Sequence, residues 1–189
     1  MQESNFIGID FGAKLAGTTA ACFKKNGHLR LLQSAKKQDA DAWLRKIIAE
    51  QNPNAVFMDA PLTLPGVYNG QGSDFHYRAC DRAVGGMSPM FLGGLTARAM
   101  KLRATFPTTP FFEIYPARLV TTLFQVDFSY KQDIQLCTEK ILEKLPVGFE
   151  NPPENWHQMD ATLAWLSGWR HGRSEALKFG EDKEGVIWV

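Results

Sequence analysis

The sequence feature that constrains the fold most is a short apolar run at residues 6–12 (FIGIDFG), which ends in an aspartate next to glycine. With the small-residue run at 13–21 it predicts two antiparallel strands joined by a hairpin, with Asp10 at the mouth of the turn. A carboxylate buried in a strand is costly unless it meets a cation or a proton. We therefore expect Asp10 either to have a cationic partner or to cap the turn through its own side chain.

The next segment extends this hairpin into a three-stranded meander. Asn26 and Gly27 lie between apolar runs at 18–23 and 28–32. Such a pair is typical of a two-residue type I′ turn, which needs positive φ at both central residues. Three consecutive antiparallel strands are therefore predicted at the start of the chain.

A crossover to a parallel strand follows the meander. Apolar residues at helical spacing predict a helix over 39–50, and the apolar run at 55–58 predicts a central parallel strand that ends in Asp59. A right-handed crossover brings parallel strands side by side with their carboxyl ends at one edge. Asp10 and Asp59 are thus expected to be neighbours at that edge.

The segment 61–96 is rich in glycine and proline and has little periodicity, which predicts a long insertion that is either functional or mobile. Within it, residues 75–82 predict a short helix with Arg78 and Arg82 on one face. A second helix is predicted over 96–103.

The remaining segments complete an α/β pattern. The run 111–115 predicts a strand that Glu113 interrupts, and 131–145 predicts a peripheral amphipathic helix. A stronger helix is predicted over 156–172, with small residues that allow close packing against a neighbour. The terminal run 185–189 is interpreted as a strand or a docking tail.

Three aspartates take comparable positions, because Asp10 and Asp59 end strands and Asp160 lies in the first turns of the last helix. Carboxylates that converge repel one another unless cations neutralise them. Hard oxygen ligands favour Mg²⁺ or Mn²⁺, and two such ions about 4 Å apart are used to hydrolyse phosphodiesters. The pattern therefore predicts a metal site with Asp10, Asp59 and Asp160 as ligands, although each acid taken alone is also explained as a cap or a helix N-terminal charge.

Five motifs carry a resemblance to a known family. They are 7–10 (IGID), 58–65 (MDAPLTLP), 78–81 (RACD), 113–116 (EIYP) and 157–161 (HQMDA). In this order they resemble domain-of-unknown-function family 429, whose members are predicted nucleases of the RNase H-like fold. The resemblance implies an α/β fold with a five-stranded mixed sheet in RNase H strand order, flanked by helices, and an acidic metal site.

The resemblance also implies roles for individual residues. It places catalytic acids at Asp10, Asp59 and Asp160, with Glu113 as a further candidate. His157 and Asp160 together resemble the corresponding helix of RuvC-type Holliday-junction resolvases, where such a pair supports the metal site. A surface or capping role for His157 stays open from the sequence.

Basic residues near these acids are candidates for substrate binding. Lys14 follows the first glycine-rich turn, Arg78 and Arg82 lie in the insertion, and Arg98 lies on the second predicted helix. Each is expected either to contact a phosphate or to form an ion pair or a solvated helix face.

Length, charge and cysteine usage bound the class of protein. A chain of 189 residues with a net charge of +1 fits a single domain over 1–189 and has no global attraction for polyanions. The three cysteines are far apart, which disfavours a disulfide framework or a structural zinc site and fits a cytoplasmic protein. No targeting segment or membrane span is expected.

Three functions are compatible with these observations. The first is a metal-dependent nuclease with nucleic acid as its partner. The second is a non-catalytic module on an RNase H-like scaffold that binds nucleic acid or protein. The third is actin-like or sugar-kinase-like phosphotransfer, because residues 8–12 (GIDFG) also resemble the first phosphate loop of those enzymes.

Overall fold

The computed structural model describes residues 5–124 and 130–189, and within them one mixed sheet runs through the molecule. Its strands are β1 (Phe6–Asp10), β2 (Ala20–Lys25), β3 (His28–Gln33), β4 (Ala55–Asp59), β5 (Phe111–Ile114), β6 (Lys178–Glu181) and β7 (Gly185–Trp188). They are arranged in the order β3-β2-β1-β4-β5-β7-β6. The five-stranded order 3-2-1-4-5 implied by the resemblance is therefore present, and two further strands extend it.

Helices of the described residues cover both faces of this sheet. They are α1 (Ala40–Gln51), α2 (Ala79–Val84), α3 (Pro89–Leu92), α4 (Gly94–Thr105), α5 (Pro116–Phe124), α6 (Ile134–Leu142) and α7 (Trp156–Gly172), with a 3₁₀ turn at Gly66–Asn69. In these same parts of the chain, no helix combines the length and apolar character that a membrane crossing requires.

Strand directions confirm the predicted meander followed by parallel strands. β1 and β3 both pair antiparallel with β2, whereas β1–β4 and β4–β5 are parallel. Asn26 and Gly27 both have positive φ, 51° and 83°, as a type I′ turn requires. The first connection is longer than expected, since β2 begins only at Ala20.

Helix α7 lies directly on the backbone of β1. A Cβ atom built on Gly8 would come within 2.2 Å of the Trp165 backbone nitrogen and 2.4 Å of the Ala161 carbonyl oxygen. Only glycine at position 8 therefore allows this contact. Phe6 stacks on Trp165 with ring centroids 4.9 Å apart, and Ala161 and Ala164 of α7 are fully buried in the same cluster.

The opposite face of the sheet packs against α1 and α4. Ile7 and Ile9, which alternate with Gly8 along β1, lie in one buried cluster with Leu44 of α1 and Leu102 of α4. Successive side chains of a strand point to opposite faces. The sheet is thus held between α7 on one side and α1 with α4 on the other, which fixes its carboxyl edge.

Several elements differ from the sequence prediction. The helix predicted over 75–82 begins at Ala79, and the peripheral helix is confined to α6. The terminal run is a strand, β7, parallel to β5. The long insertion contains the 3₁₀ turn, α2 and α3, and the sequence did not predict α5 or β6.

Candidate active site

Two aspartates meet at the carboxyl edge of the parallel strands. Asp10 ends β1, Asp59 ends β4, and their Cα atoms are register partners across the two strands. Both line a cleft of about 230 Å³, whose walls also include Met87 and Leu92 of the insertion. The predicted adjacency of the two acids is therefore confirmed, and it follows from the parallel pairing that the crossover helix α1 permits.

The carboxyl group of Asp59 is the least compensated charge in this cleft. Within residues 5–124 and 130–189 it accepts no hydrogen bond. Burial raises its pKa well above the ordinary value, and the negative charges of Asp10, Asp160 and Glu113 raise it further. The folded protein therefore favours a proton or a cation on Asp59.

Asp10 has a histidine partner. His157 Nδ1 lies 2.7 Å from Asp10 Oδ2, which brings the first turn of α7 to the end of β1. Asn155 caps this turn, because its Oδ1 accepts from the backbone nitrogens of His157 and Gln158. The hydrogen bond to Asp10 raises the pKa of His157, so the structure favours an imidazolium beside this carboxylate.

Asp160 points at a cation from another part of the chain. Its Oδ1 accepts from the Tyr130 hydroxyl at 2.6 Å, and its Oδ2 accepts from Lys131 Nζ. Lys131 also lies over the Trp156 ring, with Nζ 5.5 Å from the centroid. Burial raises the pKa of Asp160 although both donors act in the opposite direction. The chain thus supplies its own positive charge to this carboxylate.

The donor chemistry of these acids fits a hard divalent cation, because carboxylate oxygens are the hard donors that Mg²⁺ and Mn²⁺ prefer. Their arrangement is not a ready ligand cage. Among the described residues no group of three or more His, Cys, Asp or Glu side chains is placed to hold a metal ion. A site formed jointly by Asp10, Asp59 and Asp160 therefore stays a prediction.

A buried ion-pair network lies beside the cleft. Arg78 is fully buried, and it donates to both Glu113 oxygens at 2.7 and 2.6 Å and to Asp81 Oδ1 at 2.6 Å. Arg78 thus takes the ion-pair alternative, with its guanidinium buried between two carboxylates, and a substrate-binding role for it stays a prediction. Glu113 reaches the cleft wall, but both of its oxygens are held by Arg78, and a catalytic role for Glu113 stays a prediction.

This network fixes the segment that follows Asp59. Glu113 Oε2 accepts from the Leu62 backbone nitrogen at 3.0 Å, and Arg78 Nη1 donates to Thr63 Oγ1 at 2.7 Å. Glu184 adds a second clamp, because it accepts from the backbone nitrogens of Gly66 and Ala79 at 2.9 and 2.8 Å. The network thus positions the chain next to the candidate site.

The other predicted substrate-binding residues are all ion-paired. Arg98 holds Asp41 through two nitrogens and donates to the Gly12 carbonyl at 3.1 Å, close to Asp10 in sequence. Lys14 pairs with Asp39 at 3.2 Å. Arg82 pairs with Asp74 and lies over the Tyr77 ring. Of these, Lys14 and Arg82 are exposed, so their predicted phosphate contacts stay open.

Sequence reasoning missed Tyr130, Lys131 and Glu184 in this region. Tyr130 and Lys131 precede α6 and reach an acid about thirty positions along the chain in α7. No periodicity connects segments so far apart. The available signal was an aromatic residue followed by a cation at the start of the helix predicted over 131–145, and it is a weak one.

The sheet order, the helix across β1 and the acids at the parallel edge define an RNase H-like fold. Two solved structures of RuvC from Thermus thermophilus are similar to this chain. The match to one of them spans 90% of this chain and 97% of the RuvC chain, at 16% identity and a TM-score of 0.48. The other is RuvC in complex with a Holliday junction substrate. That match spans 92% of this chain and 98% of the RuvC chain, at 16% identity and a TM-score of 0.51.

The second likeness supports the same fold. No family model matches the chain, and no curated protein matches it. Membership of domain-of-unknown-function family 429 therefore stays a prediction based on the five motifs.

Proposed function

We propose that this protein is a metal-dependent nuclease that hydrolyses phosphodiester bonds of nucleic acid at the cleft of Asp10 and Asp59. The observation that carries the proposal is the Asp59 carboxyl group. Burial and three other carboxylates raise its pKa, and in the described structure no hydrogen bond compensates its charge. A protein that keeps such a group in an open cleft carries an electrostatic cost that a divalent cation would offset.

The residues take distinct roles in this proposal. Asp10 and Asp59 would hold Mg²⁺ or Mn²⁺, and Asp160 would complete the ligand set once Lys131 releases it. Bound divalent ions activate water and neutralise the leaving oxygen in such reactions. His157 orients Asp10 through the 2.7 Å contact to Oδ2. The RuvC structure with its Holliday junction substrate supports nucleic acid as the partner class, because the two chains share a fold.

The test is cleavage of labelled single-stranded, duplex, hybrid and branched substrates with Mn²⁺, Mg²⁺ or EDTA. We expect Mn²⁺-dependent cleavage that Asp10→Asn reduces by at least about a thousandfold, since activity needs the metal. Asp182→Asn is the matched control, because Asp182 is an exposed acid paired with Lys178 at 2.8 Å. Cleavage that survives Asp10→Asn, or that proceeds fully in EDTA, would overturn the proposal.

One observation favours a second candidate, a non-catalytic binding module. Lys131 and His157 already give Asp160 and Asp10 cationic partners, so a scaffold with these pairs is partly neutralised without metal. Thermal unfolding separates the two candidates. The nuclease must gain stability from Mn²⁺ by mass action, and a binder need not.

We further propose that residues 1–189 form a single domain in a reducing compartment such as the cytoplasm. One sheet connects strands from the first and last thirds of the described chain. Cys22, Cys80 and Cys137 are free and buried, which fits such an environment. Limited proteolysis that produced two separately folded halves would contradict the single domain.

A further inference from the structure

An exposed aromatic patch lies on the insertion next to the cleft. Eight large hydrophobic side chains are exposed in the described parts of the chain, and four of them lie between residues 68 and 91. Phe91 is 63% exposed and Phe75 is 58% exposed. The patch consists of Tyr68, Phe75, His76, Tyr77, Met87 and Phe91.

The rings of this patch form two contacting groups, which the consecutive residues Phe75 and His76 join along the chain. Tyr68 meets Phe75 edge to face at 6.1 Å, and Phe91 lies 5.4 Å from His76 and 5.9 Å from Tyr77 between ring centroids. A hydrogen bond holds the backbone of this segment to α3, because Ser88 Oγ, at the N-cap of α3, donates to the His76 carbonyl at 2.5 Å. The rings are therefore held in place while their surfaces stay open to solvent.

The patch reaches the cleft of Asp10 and Asp59 through Met87. Met87 belongs to the patch and also lines the cleft, and Leu92, next to Phe91 in α3, lines it as well. Phe91 and Leu92 are consecutive residues of α3, so the exposed Phe91 is adjacent in the chain to a residue of the cleft wall. Large exposed apolar patches of this kind mark interaction sites.

We infer that the aromatic patch binds unpaired bases of a single-stranded stretch of nucleic acid and leads that strand to the acidic cleft, an inference that rests on the proposed function. Stacking on exposed rings is the general means by which proteins hold single strands without sequence preference. The exposed Arg82, 4.5 Å above the Tyr77 ring, adds one cation beside the rings although it is paired with Asp74. Nucleic acid is favoured over protein as the occupant because Met87 belongs both to the patch and to the wall of the proposed nuclease cleft.

The test is binding in EDTA, measured by fluorescence anisotropy with labelled oligothymidylate, oligouridylate and a duplex of matched length. We expect both single strands to bind more tightly than the duplex. Phe91→Ala and Phe75→Ala should each weaken single-strand binding about tenfold, and duplex binding much less. The slope of affinity with salt should stay the same, because it counts phosphate contacts and not stacked bases. If these variants weaken the binding of only oligothymidylate or only oligouridylate, the result identifies DNA or RNA, respectively, as the natural strand.

Two further variants make the experiment specific. Leu177→Ala is the matched control, since Leu177 is an exposed apolar residue outside the patch, and it should leave binding unchanged. Phe91→Trp should retain binding and should give an indole fluorescence that oligothymidylate quenches on stacking. Thermal unfolding checks that each variant is folded.

The outcomes separate this inference from the proposed function. Tight single-strand binding that the patch variants weaken, without any metal-dependent cleavage, supports the patch and contradicts the nuclease. Equal loss on single strands and duplex, no loss at all, or absence of quenching in Phe91→Trp overturns the patch. A change from dimer to monomer in Phe91→Ala, seen by sedimentation, also overturns it and assigns the surface to a second copy of the chain.

Discussion

Replacing Asp59 by asparagine should stabilise the metal-free protein. The change keeps the shape of the side chain and removes its charge. Asp59 neighbours Asp10 on adjacent strands, which lie about 4.8 Å apart. Two unit charges about 5 Å apart repel by about 3 kcal/mol at an effective dielectric constant of about 20.

The net effect should be smaller than this repulsion, because Lys131 lowers the pKa of Asp59 and the cleft is open to water. We therefore expect the variant to gain about 1 to 3 kcal/mol in free energy of unfolding near neutral pH. For a chain of this size, each 1 kcal/mol raises Tm by about 2 to 4 °C.

The stability difference between the wild type and Asp59→Asn should depend on pH, and its direction follows from the raised pKa of Asp59. A carboxyl group with a raised pKa binds its proton more tightly in the folded state than in the unfolded state. Its stabilising contribution is present below the unfolded pKa and is lost as the pH rises through the folded pKa. The wild type should therefore match Asp59→Asn at acidic pH and become the less stable of the two as the pH rises.

Thermal unfolding in EDTA over a range of pH measures this difference. Asp182→Asn is again the control, because an exposed pair contributes about 1 kcal/mol or less. Saturating Mn²⁺ should reverse the order, since only the wild type keeps both carboxylates for the ion. A variant that is less stable than the wild type in EDTA at every pH would refute the reasoning, because it would show that the Asp59 anion already has a favourable partner.

Three other substitutions test the surroundings of the cleft. Lys131→Met should strengthen Mn²⁺ binding about three- to tenfold in calorimetry, because the ammonium group competes with the ion for Asp160. Arg78→Met should cost about 3 to 5 kcal/mol in urea unfolding, because it leaves two buried carboxylates unpaired. His157→Gln should remove a pH-dependent contribution to the free energy of unfolding. Because the pKa of His157 is raised, this contribution stabilises the wild type below the unfolded pKa and is lost as the pH rises through the folded pKa. It should be less than about 1 kcal/mol, because the side chain is 41% exposed.

Each of these expectations has a contradicting result. Unchanged Mn²⁺ affinity in Lys131→Met would show that the lysine does not compete with the ion. A loss below about 1 kcal/mol in Arg78→Met would show that the buried carboxylates are neutral in the fold. A wild-type stability that rises with pH relative to His157→Gln would reverse the inferred direction of the histidine shift.

The central sheet could be predicted from the sequence because its signals are local. Asn26 and Gly27 specify a turn by their backbone preferences, and the apolar run before Asp59 specifies a buried strand. The handedness of crossovers then places Asp10 beside Asp59 without any knowledge of side-chain contacts. The register of β1 and β4 confirms that step.

Helix α5 and strand β6, which the sequence did not predict, depend on contacts with other parts of the fold. In α5, the β-branched Thr121 and Thr122 favour extended structure, yet both hydroxyls donate to the Arg118 carbonyl within the helix. Strand β6 carries Gly180 with φ of 95° and exists because it pairs with β7. Such preferences are decided by tertiary packing, which a local pattern does not contain.

The inward ion pairs of Arg78 were also not evident from the local pattern. Its spacing from Arg82 resembles a basic helix face, but Arg78 lies before α2 as the N-cap, and its backbone nitrogen donates to Asp81 Oδ2 at 2.9 Å. The side chain therefore turns inward to Glu113, which is 35 positions away. The sequence contained both acids but not their distance from the arginine.

The contact between Gly8 and α7 has a consequence for how this protein is made. Strand β1 is covered on one face by helix α7 (Trp156–Gly172), which is synthesised long after it. Until then the nascent chain carries a bare apolar surface, and contacts of such long sequence separation form slowly. Chaperone dependence of the newly synthesised chain should therefore persist until α7 has emerged, and truncation before residue 156 should yield aggregates.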